Sequence, residues 1–348
     1  MVHQYINNGY HIVLDVNSGA IHVVDEVVYD VIPLFEKHSS EEITGLLREK
    51  YSEEEIREAV EEVAQLKKEG SLFTPDTYEA PLIDFKKRPT VVKALCLHIA
   101  HDCNLACRYC FAEEGEYHGR RALMSYETGK AALDFLIANS GSRRNLEVDF
   151  FGGEPLMNFE VVKQLVAYGR EQEKLHDKHF RFTLTTNGVL LNDDIMEFAN
   201  REMDNVVLSI DGRKEVHDHM RPFRKGAGSY DLIVPKFQKF AKSRNQEKYY
   251  VRGTYTHFNT DFSKDVLHLA DLGFKQISVE PVVAEETDDY AIKEEDLPVL
   301  FKEYDDLAAE MVRRNKAGNG FNFFHFMIDL EGGPCVYKRL SGCGSGTE

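Results

Sequence analysis

Three of the six cysteines crowd into eight positions of the 348-residue sequence: Cys103, Cys107 and Cys110. Thiolates this close repel one another unless a cation shares their charge, so the C-x3-C-x2-C spacing predicts a metal centre. The low cysteine content argues against a disulfide framework and indicates a reducing compartment. An iron–sulfur cube normally takes four cysteines, so three protein thiolates would leave one iron open to a further ligand.

A zinc site is the alternative that the cysteine spacing leaves open. Zinc would need a fourth protein ligand to close its tetrahedron. Nearby histidines could supply that ligand, namely His98, His101 and His118. The spacing alone is consistent with both kinds of centre.

A second segment that could take part in chemistry is Phe-Gly-Gly-Glu-Pro, at positions 151–155. Two adjacent glycines let a ligand approach the backbone closely and leave carbonyl oxygens free to accept hydrogen bonds. An ordinary turn would explain the same residues, because glycines are common in turns. Since the segment follows the cysteine triplet, we interpret Gly153 and Glu154 as part of a ligand site.

Polar residues also follow the fourth predicted strand of the alternating region. Ser209 ends the strand, and Arg221 follows twelve residues later. A guanidinium suits a carboxylate ligand because it offers a rigid, bidentate fork. A salt bridge on a charged surface loop is the alternative for Arg221, and Tyr109, inside the triplet, could simply pack its loop.

Strands and helices that alternate along the chain must position these groups. Apolar periodicity predicts strands at residues 95–100, 146–151, 181–185, 206–210, 249–256 and 276–282. It predicts helices at residues 125–139, 159–174, 193–203, 230–241, 262–272 and 297–314. This α/β alternation implies parallel strands with right-handed crossovers. Either an open doubly wound sheet or a partial (β/α)6 TIM-like barrel would place chemistry at the carboxyl ends of the strands.

The first residues have a different pattern, which predicts a small winged-helix domain over residues 1–77. A hairpin is predicted at 10–16 and 20–24, followed by three helices. The predicted helix caps are Asp25, Ser39 or Ser40, and Ser52. Prolines and mixed charge predict a linker at 78–90, which leaves residues 91–316 for the barrel and 317–348 for a last segment.

The composition excludes several classes of protein. Hydrophobic residues make up 43% and charged residues 29% of the chain, as in ordinary globular proteins. The net charge of -17 disfavours binding to nucleic-acid backbones. No apolar run is long enough to cross a bilayer and no signal peptide is visible. We therefore expect a cytoplasmic protein without nucleic-acid or membrane partners.

The cysteine triplet after a strand of an alternating α/β region resembles the signature of the radical S-adenosylmethionine (SAM) superfamily. The resemblance implies that Cys103, Cys107 and Cys110 hold a [4Fe-4S] cluster whose open iron binds the amino and carboxylate groups of SAM. An electron from an external donor would pass through the cluster to SAM. The resulting 5′-deoxyadenosyl radical would abstract hydrogen from the substrate.

The same resemblance assigns roles to the other candidate residues. Gly153 and Glu154 would receive the SAM amino group, and Ser209 and Arg221 would contact SAM, the arginine through its carboxylate. Two residues would meet the adenine, Tyr109 and the backbone of Val282. Cys96, within the first predicted strand of the barrel, is expected to be a buried small apolar residue.

Cys335 and Cys343 resemble the opening of a SPASM extension, which would hold auxiliary [4Fe-4S] clusters. They lie in Gly-Gly-Pro-Cys and Gly-Cys-Gly-Ser-Gly, beyond the last predicted helix. The remaining cysteines of such an extension are missing, because the sequence stops at Glu348. We therefore expect that the chain continues past this residue or is represented in part.

The first domain, joined to such a core, resembles the recognition element of enzymes that modify ribosomally made and post-translationally modified peptides (RiPPs). Its acidic helices lack donors for phosphates, whereas a leader peptide could add a strand to its sheet. Across the whole chain the sequence resembles SCIFF maturases, which implies a thioether from a cysteine sulfur to a threonine α-carbon in a Cys-rich precursor peptide.

Two rival functions remain open. One is an enzyme like anaerobic sulfatase maturases, which oxidises cysteine or serine to formylglycine. The other is a zinc-bound winged-helix regulator without catalytic activity. The sequence identifies no general base, no oligomeric state and no number of auxiliary clusters.

Overall fold

The structure is a computed structural model that describes residues 1–76 and 91–328. The chain divides into two compact units, one N-terminal and one that covers the described residues from 91 to 327. The predicted linker at 78–90 and the two cysteines Cys335 and Cys343 lie outside the described residues. None of the helices in the described ranges is long and apolar enough to cross a membrane.

The N-terminal unit begins with three strands: β1 (Val2–Asn7), β2 (Tyr10–Asp15) and β3 (Ile21–Val24). They form an antiparallel sheet in the order β1-β2-β3. The predicted hairpin of β2 and β3 is confirmed, whereas β1 was not predicted because polar residues interrupt its alternation. The missed signal is Asn8-Gly9, whose φ angles of 49° and 79° suit a type I′ hairpin turn.

Three helices follow this sheet: α1 (Glu26–Phe35), α2 (Ser40–Leu47) and α3 (Glu53–Lys68). Each is capped by a predicted side chain, namely Asp25, Ser39 and Ser52. The apolar faces of the helices pack with Val13 of β2 into one core that includes Val31, Ile56 and Val63. The order of elements is therefore three strands followed by three helices.

The second unit contains one large sheet flanked by helices. Its strands are β4 (Ala94–His101), β5 (Ala122–Leu123), β6 (Asn145–Gly152), β7 (His179–Thr186), β8 (Asn205–Ser209), β9 (Tyr249–Tyr255), β10 (Gln276–Pro281) and β11 (Asn322–Phe323). Its helices are α4 (Tyr126–Asn139), α5 (Phe159–His176), α6 (Asp193–Glu202), α7 (Lys214–Met220), α8 (Tyr230–Ser243), α9 (Phe262–Asp271) and α10 (Leu297–Lys316). The predicted strands and helices of this unit are confirmed. The short elements β5, α7 and β11 were not predicted, because elements of so few residues show too little apolar periodicity.

The strand order of this sheet is β11-β10-β9-β8-β7-β6-β4-β5. Strand β4 and strands β6 to β10 run parallel, and each pairs with the next one along the chain. The chain therefore winds in one direction, as in a barrel, and does not reverse as in a doubly wound sheet. Since β5 and β11 do not pair with each other in the described residues, the structure is the predicted partial barrel.

Alternation along the strands gives the sheet two faces. On β6, Leu146, Val148 and Phe150 are buried in the core that the helices complete. Asp149 and Phe151 therefore lie on the opposite face, which we call the inner face. The inner face extends along the strands to their carboxyl ends.

Cys96 lies on this inner face. Its neighbours on β4, Leu97 and Ile99, pack in the core. Because successive side chains of a strand point to opposite faces, Cys96 points away from the core and is exposed. The prediction that Cys96 is a buried apolar residue is therefore wrong.

Candidate active site

The carboxyl ends of the parallel strands surround a cavity of about 380 Å³. The three triplet cysteines, Cys103, Cys107 and Cys110, all line it from the loop that follows β4. A backbone hydrogen bond of 2.9 Å from Ala106 N to Pro222 O ties this loop to the segment after α7. The triplet is thus held at one side of the cavity by contacts between distant parts of the chain.

Burial makes two of the triplet thiols, those of Cys103 and Cys107, hard to ionise. It raises the pKa of Cys103 to about 12, and the negative charge of Glu154 adds to this rise. It raises the pKa of Cys107 to about 11, although the positive charge of Arg221 opposes the rise. Because the thiolate is the ligating form, these thiols need a cationic group among them to ionise.

The described residues contain no group of three or more His, Cys, Asp or Glu side chains placed to hold a single metal ion. An iron–sulfur cluster differs from a single ion because each thiolate binds a different iron, so the sulfurs stand apart. Three thiols around one cavity therefore fit a cluster better than a single zinc ion.

The histidines considered as zinc ligands have other partners. The ring of His98 lies 4.3 Å from that of Tyr117, and the ring of His101 lies 4.9 Å from the same tyrosine. His118 Nδ1 lies 2.8 Å from a carboxylate oxygen of Glu113. These contacts give no support to a zinc site completed by a histidine.

Asn187, which follows β7, reaches the first cysteine of the triplet. Its Nδ2 lies 3.5 Å from Cys103 Sγ, and Leu105 N lies 3.5 Å from the same sulfur. The asparagine is fixed because its backbone N donates to Glu154 Oε2 at 2.8 Å and its Oδ1 accepts from Val189 N at 3.0 Å. The sequence analysis did not single out Asn187, although Thr-Thr-Asn-Gly at a strand end is a signal that could have found it.

Gly153 lines the cavity where the backbone passes closely behind the triplet loop. A Cβ at this position would lie 2.2 Å from Asp102 O and 3.0 Å from Gly115 Cα. At neighbouring Gly152, φ is +125°, a conformation that favours glycine. The two glycines are therefore required by close packing, and they leave backbone groups beside the cavity.

Glu154, by contrast, does not line the cavity. Its fully buried carboxylate accepts hydrogen bonds from Thr186 Oγ1 at 2.8 Å, Asn187 N at 2.8 Å and Leu156 N at 3.0 Å. Burial raises its pKa to about 7, although these hydrogen bonds lower it. The side chain thus braces the loop after β7, and its own backbone N donates to Asp102 O at 2.9 Å.

Arg221 lines the cavity and is held by a buried carboxylate. Asp211 accepts from Arg221 Nε at 2.9 Å and from the hydroxyl of Tyr109 at 2.7 Å. The guanidinium also lies 5.3 Å from the centre of the Tyr109 ring. Arg221 is therefore part of a buried network and not of a surface salt bridge. The sequence analysis missed Asp211, two residues after Ser209 at the same strand end.

Ser209 and Val282 also line the cavity, at the ends of β8 and β10. Val282 N donates to Tyr255 O at 2.9 Å, which fixes the backbone there. The structure thus brings together all the described candidate residues except the side chain of Glu154. Cys335 and Cys343 lie outside the described residues.

The sequence is similar to several known proteins. The sequence profile described as the radical SAM superfamily matches residues 97–272. An uncharacterized protein of Methanocaldococcus jannaschii is 31% identical over 189 residues, which cover 54% of this chain and 62% of that protein. The radical SAM cyclopropyl synthase TigE of Paramaledivibacter caminithermalis is 23% identical over 49% of this chain and 38% of its own length.

Two further similarities are one in sequence and one in structure. A cysteine-type anaerobic sulfatase-maturating enzyme of Clostridium novyi is 28% identical over 38% of this chain and 36% of its own length. The AdoMet-bound structure of native anSMEcpe superposes with a TM-score of 0.59 at 20% identity, over 68% of this chain and 65% of that chain. At this identity the likeness shows the fold alone. The matched part of the chain spans less than two thirds of each of these relatives.

Proposed function

The chain belongs to the radical SAM superfamily, and we propose that it is a peptide maturase that joins a cysteine sulfur to a threonine α-carbon. The substrate would be a ribosomally made, Cys-rich precursor peptide, as the resemblance to SCIFF maturases implies. The observation that carries the proposal is the meeting of three cysteines, Ser209 and Arg221 at one cavity.

In this proposal, Cys103, Cys107 and Cys110 hold a [4Fe-4S] cluster with one iron open to SAM. When bound, the cluster supplies an electron, received from an external donor, that cleaves SAM and yields a radical able to remove a hydrogen atom from the peptide. The cysteine loop keeps this centre at the carboxyl ends of the strands, and the barrel shields it from bulk water.

The other cavity residues would orient SAM. Arg221, fixed by Asp211, would donate hydrogen bonds from its guanidinium to the SAM carboxylate beside Ser209. The backbone next to Gly153 would accept from the amino group, while Tyr109 and the backbone of Val282 would flank the adenine. Because the Glu154 carboxylate is buried under the loop after β7, we assign it the support of this backbone and not direct contact.

Forming the thioether removes two hydrogens from the peptide. The α-carbon loses a hydrogen atom to the 5′-deoxyadenosyl radical, and the thiol loses a proton to a base and its electron to an acceptor. We propose that auxiliary [4Fe-4S] clusters, begun by Cys335 and Cys343, accept that electron or bind the thiolate. A cluster iron would favour the thiolate form of the substrate.

The N-terminal unit would bind the leader of the precursor peptide as an added strand beside β3. In the described residues β3 pairs with β2 alone. Its side chains Ile21 and Val23 are 37% and 66% exposed. An added strand would pair the free edge and cover these apolar groups.

The test is an anaerobic incubation of the reconstituted protein with SAM, a reductant and a precursor peptide. We expect release of 5′-deoxyadenosine and a product lighter by two hydrogens per crosslink. C103A, C107A and C110A should each lose iron and 5′-deoxyadenosine release, whereas C96A, a matched cysteine variant on β4, should retain its iron. Release of 5′-deoxyadenosine without a mass change of the peptide would refute the crosslinking proposal.

Formylglycine formation is a second candidate, which the similarity to the cysteine-type sulfatase-maturating enzyme favours. A formylglycine product from cysteine lacks the sulfur atom and reacts with aldehyde probes, whereas a thioether retains the sulfur. Mass spectrometry of the same incubation therefore separates the two reactions. A zinc-bound regulator is not proposed, because membership of the superfamily supports an enzyme.

A further inference from the structure

The inner face of the sheet carries an arginine that none of the roles given above uses. Arg252 lies on β9, is exposed and lines the cavity. Arg221 has the buried carboxylate of Asp211 as its partner. Among the described residues, no carboxylate forms an ion pair with Arg252 and no group accepts a hydrogen bond from it. Its guanidinium is a donor that faces the cavity without a protein acceptor.

An acceptor with an unused oxygen lies on the same face. This acceptor is the side-chain carboxylate of Asp149 on β6. Its Oδ1 is buried and has no hydrogen-bond partner in the described part of the chain. A buried acceptor left without a donor is unfavourable, because its interaction with water is lost and not replaced. The cross-strand neighbour of Asp149 is Cys96, whose side chain is exposed.

The two groups act on each other across the interior. Burial raises the pKa of Asp149 to about 6, and the positive charge of Arg252 opposes this rise. β9 lies three strands away from β6, so their interaction crosses the concave interior of the sheet. Thr185 and Phe151, which flank Asp149, line the cavity together with Arg252. Arg252 therefore lines the cavity, and Asp149 lies two residues before the cavity-lining Phe151 on the same face of the sheet.

We propose that Arg252 and Asp149 bind the peptide segment to be modified, with the guanidinium donating to a main-chain carbonyl oxygen and the carboxylate accepting from a main-chain N–H. The inference rests on the proposed function, because it presupposes a peptide substrate. Each amide presents one acceptor and one donor, and these match the two unused groups. A purely apolar ligand would leave both groups unsatisfied.

The experiment compares peptide kinetics of the reconstituted full chain with those of R252Q and D149N. We expect the KM for the precursor peptide to rise about tenfold in each variant, because a hydrogen bond to a charged group is lost. The kcat should change less, and R252K should recover part of the loss because lysine still donates. R181Q is the matched control, since Arg181 lies on the inner face of β7 and pairs with Glu147 at 3.2 Å.

SAM cleavage by the same preparations without peptide distinguishes failure of the proposed function from failure of this inference. A wild-type protein that releases no 5′-deoxyadenosine refutes the proposed function. A wild-type protein that converts the peptide, with wild-type peptide KM in R252Q and D149N, refutes this inference alone. This inference is also refuted if the KM for SAM rises as much as the KM for the peptide, because Arg252 would then bind the cosubstrate. D149N keeps the size of the side chain and R252Q shortens an exposed one, and if one variant does not fold, the other carries the test.

Discussion

Arg221 donates its Nε to Oδ1 of Asp211 at 2.9 Å, inside the second unit. Asp211 is fully buried and also accepts from the hydroxyl of Tyr109 at 2.7 Å and from Thr254 N at 3.1 Å. Arg221 bonds to Asp211 through Nε, and the terminal nitrogens of the guanidinium form no hydrogen bond with this aspartate. The aspartate thus fixes the direction of an arginine that lines the cavity.

Replacing Asp211 by asparagine should weaken SAM binding. The variant keeps the shape of the side chain but removes the charge that holds Arg221, and breaking a buried pair from one side costs about 3–5 kcal/mol. We expect the Kd for SAM to rise at least tenfold, measured by equilibrium binding to the reconstituted protein. D265N is the matched control, because Asp265 is equally buried, accepts from Arg213 Nε at 2.8 Å and does not line the cavity. Equal weakening in both variants would contradict a specific role of Asp211.

Much of the fold could be predicted because its signals are local. The apolar periods of the barrel strands and the caps Asp25 and Ser52 depend on residues within one or two turns of each other. The burial of Cys96 was predicted wrongly, because the prediction used the small apolar character of the side chain. It did not use the alternation along β4, which places Leu97 and Ile99 in the core and Cys96 on the other face.

The candidate site was predictable only where parallel strands end. Ser209 and the triplet cysteines could be expected together, because the carboxyl ends of parallel strands meet at one edge. Asn187 also follows a strand, so its place at this edge could have been expected, but its contact with Cys103, 84 residues away along the chain, could not be predicted from spacing. Asp211 was missed for the same reason, since its partners come from three different segments.

Replacing Gly153 by alanine should disrupt the triplet loop. The new Cβ would lie 2.2 Å from Asp102 O, and this backbone atom cannot move without shifting Cys103. We expect a loss of about 1–3 kcal/mol in the free energy of unfolding, as for overpacked sites, together with lower iron incorporation. Chemical denaturation and iron analysis measure the two effects. G45A is the control, because nothing lies within 4 Å of a Cβ at Gly45. Full iron loading of G153A would contradict the argument.

Glu154 should make the stability of the protein fall as the pH rises. Its folded-state pKa is about 7, above its usual 4.5, so the unfolded chain releases this proton at lower pH than the folded one. The stabilisation from Glu154 is therefore complete below about pH 4.5 and is lost as the pH rises towards 7. Relative to E154Q, the wild-type free energy of unfolding should fall by about 3 kcal/mol between pH 5 and pH 8. Urea unfolding across this range is the measurement, and parallel curves for the two proteins would show that burial does not shift this carboxyl.

Replacing Asn187 by alanine should lower the reduction potential of the reconstituted cluster. Hydrogen bonds to ligand sulfurs stabilise the added negative charge of the reduced form, and Asn187 Nδ2 lies 3.5 Å from Cys103 Sγ. A net hydrogen bond of about 1 kcal/mol corresponds to about 40 mV for a one-electron couple. We therefore expect a potential about 40 mV more negative in N187A, read from an anaerobic redox titration followed by electron paramagnetic resonance. N200A is the matched control, because Asn200 Nδ2 donates to Ser243 Oγ at 2.9 Å and Asn200 does not line the cavity. If N187A takes up iron fully and keeps the wild-type potential, the contact with Cys103 does not tune the cluster.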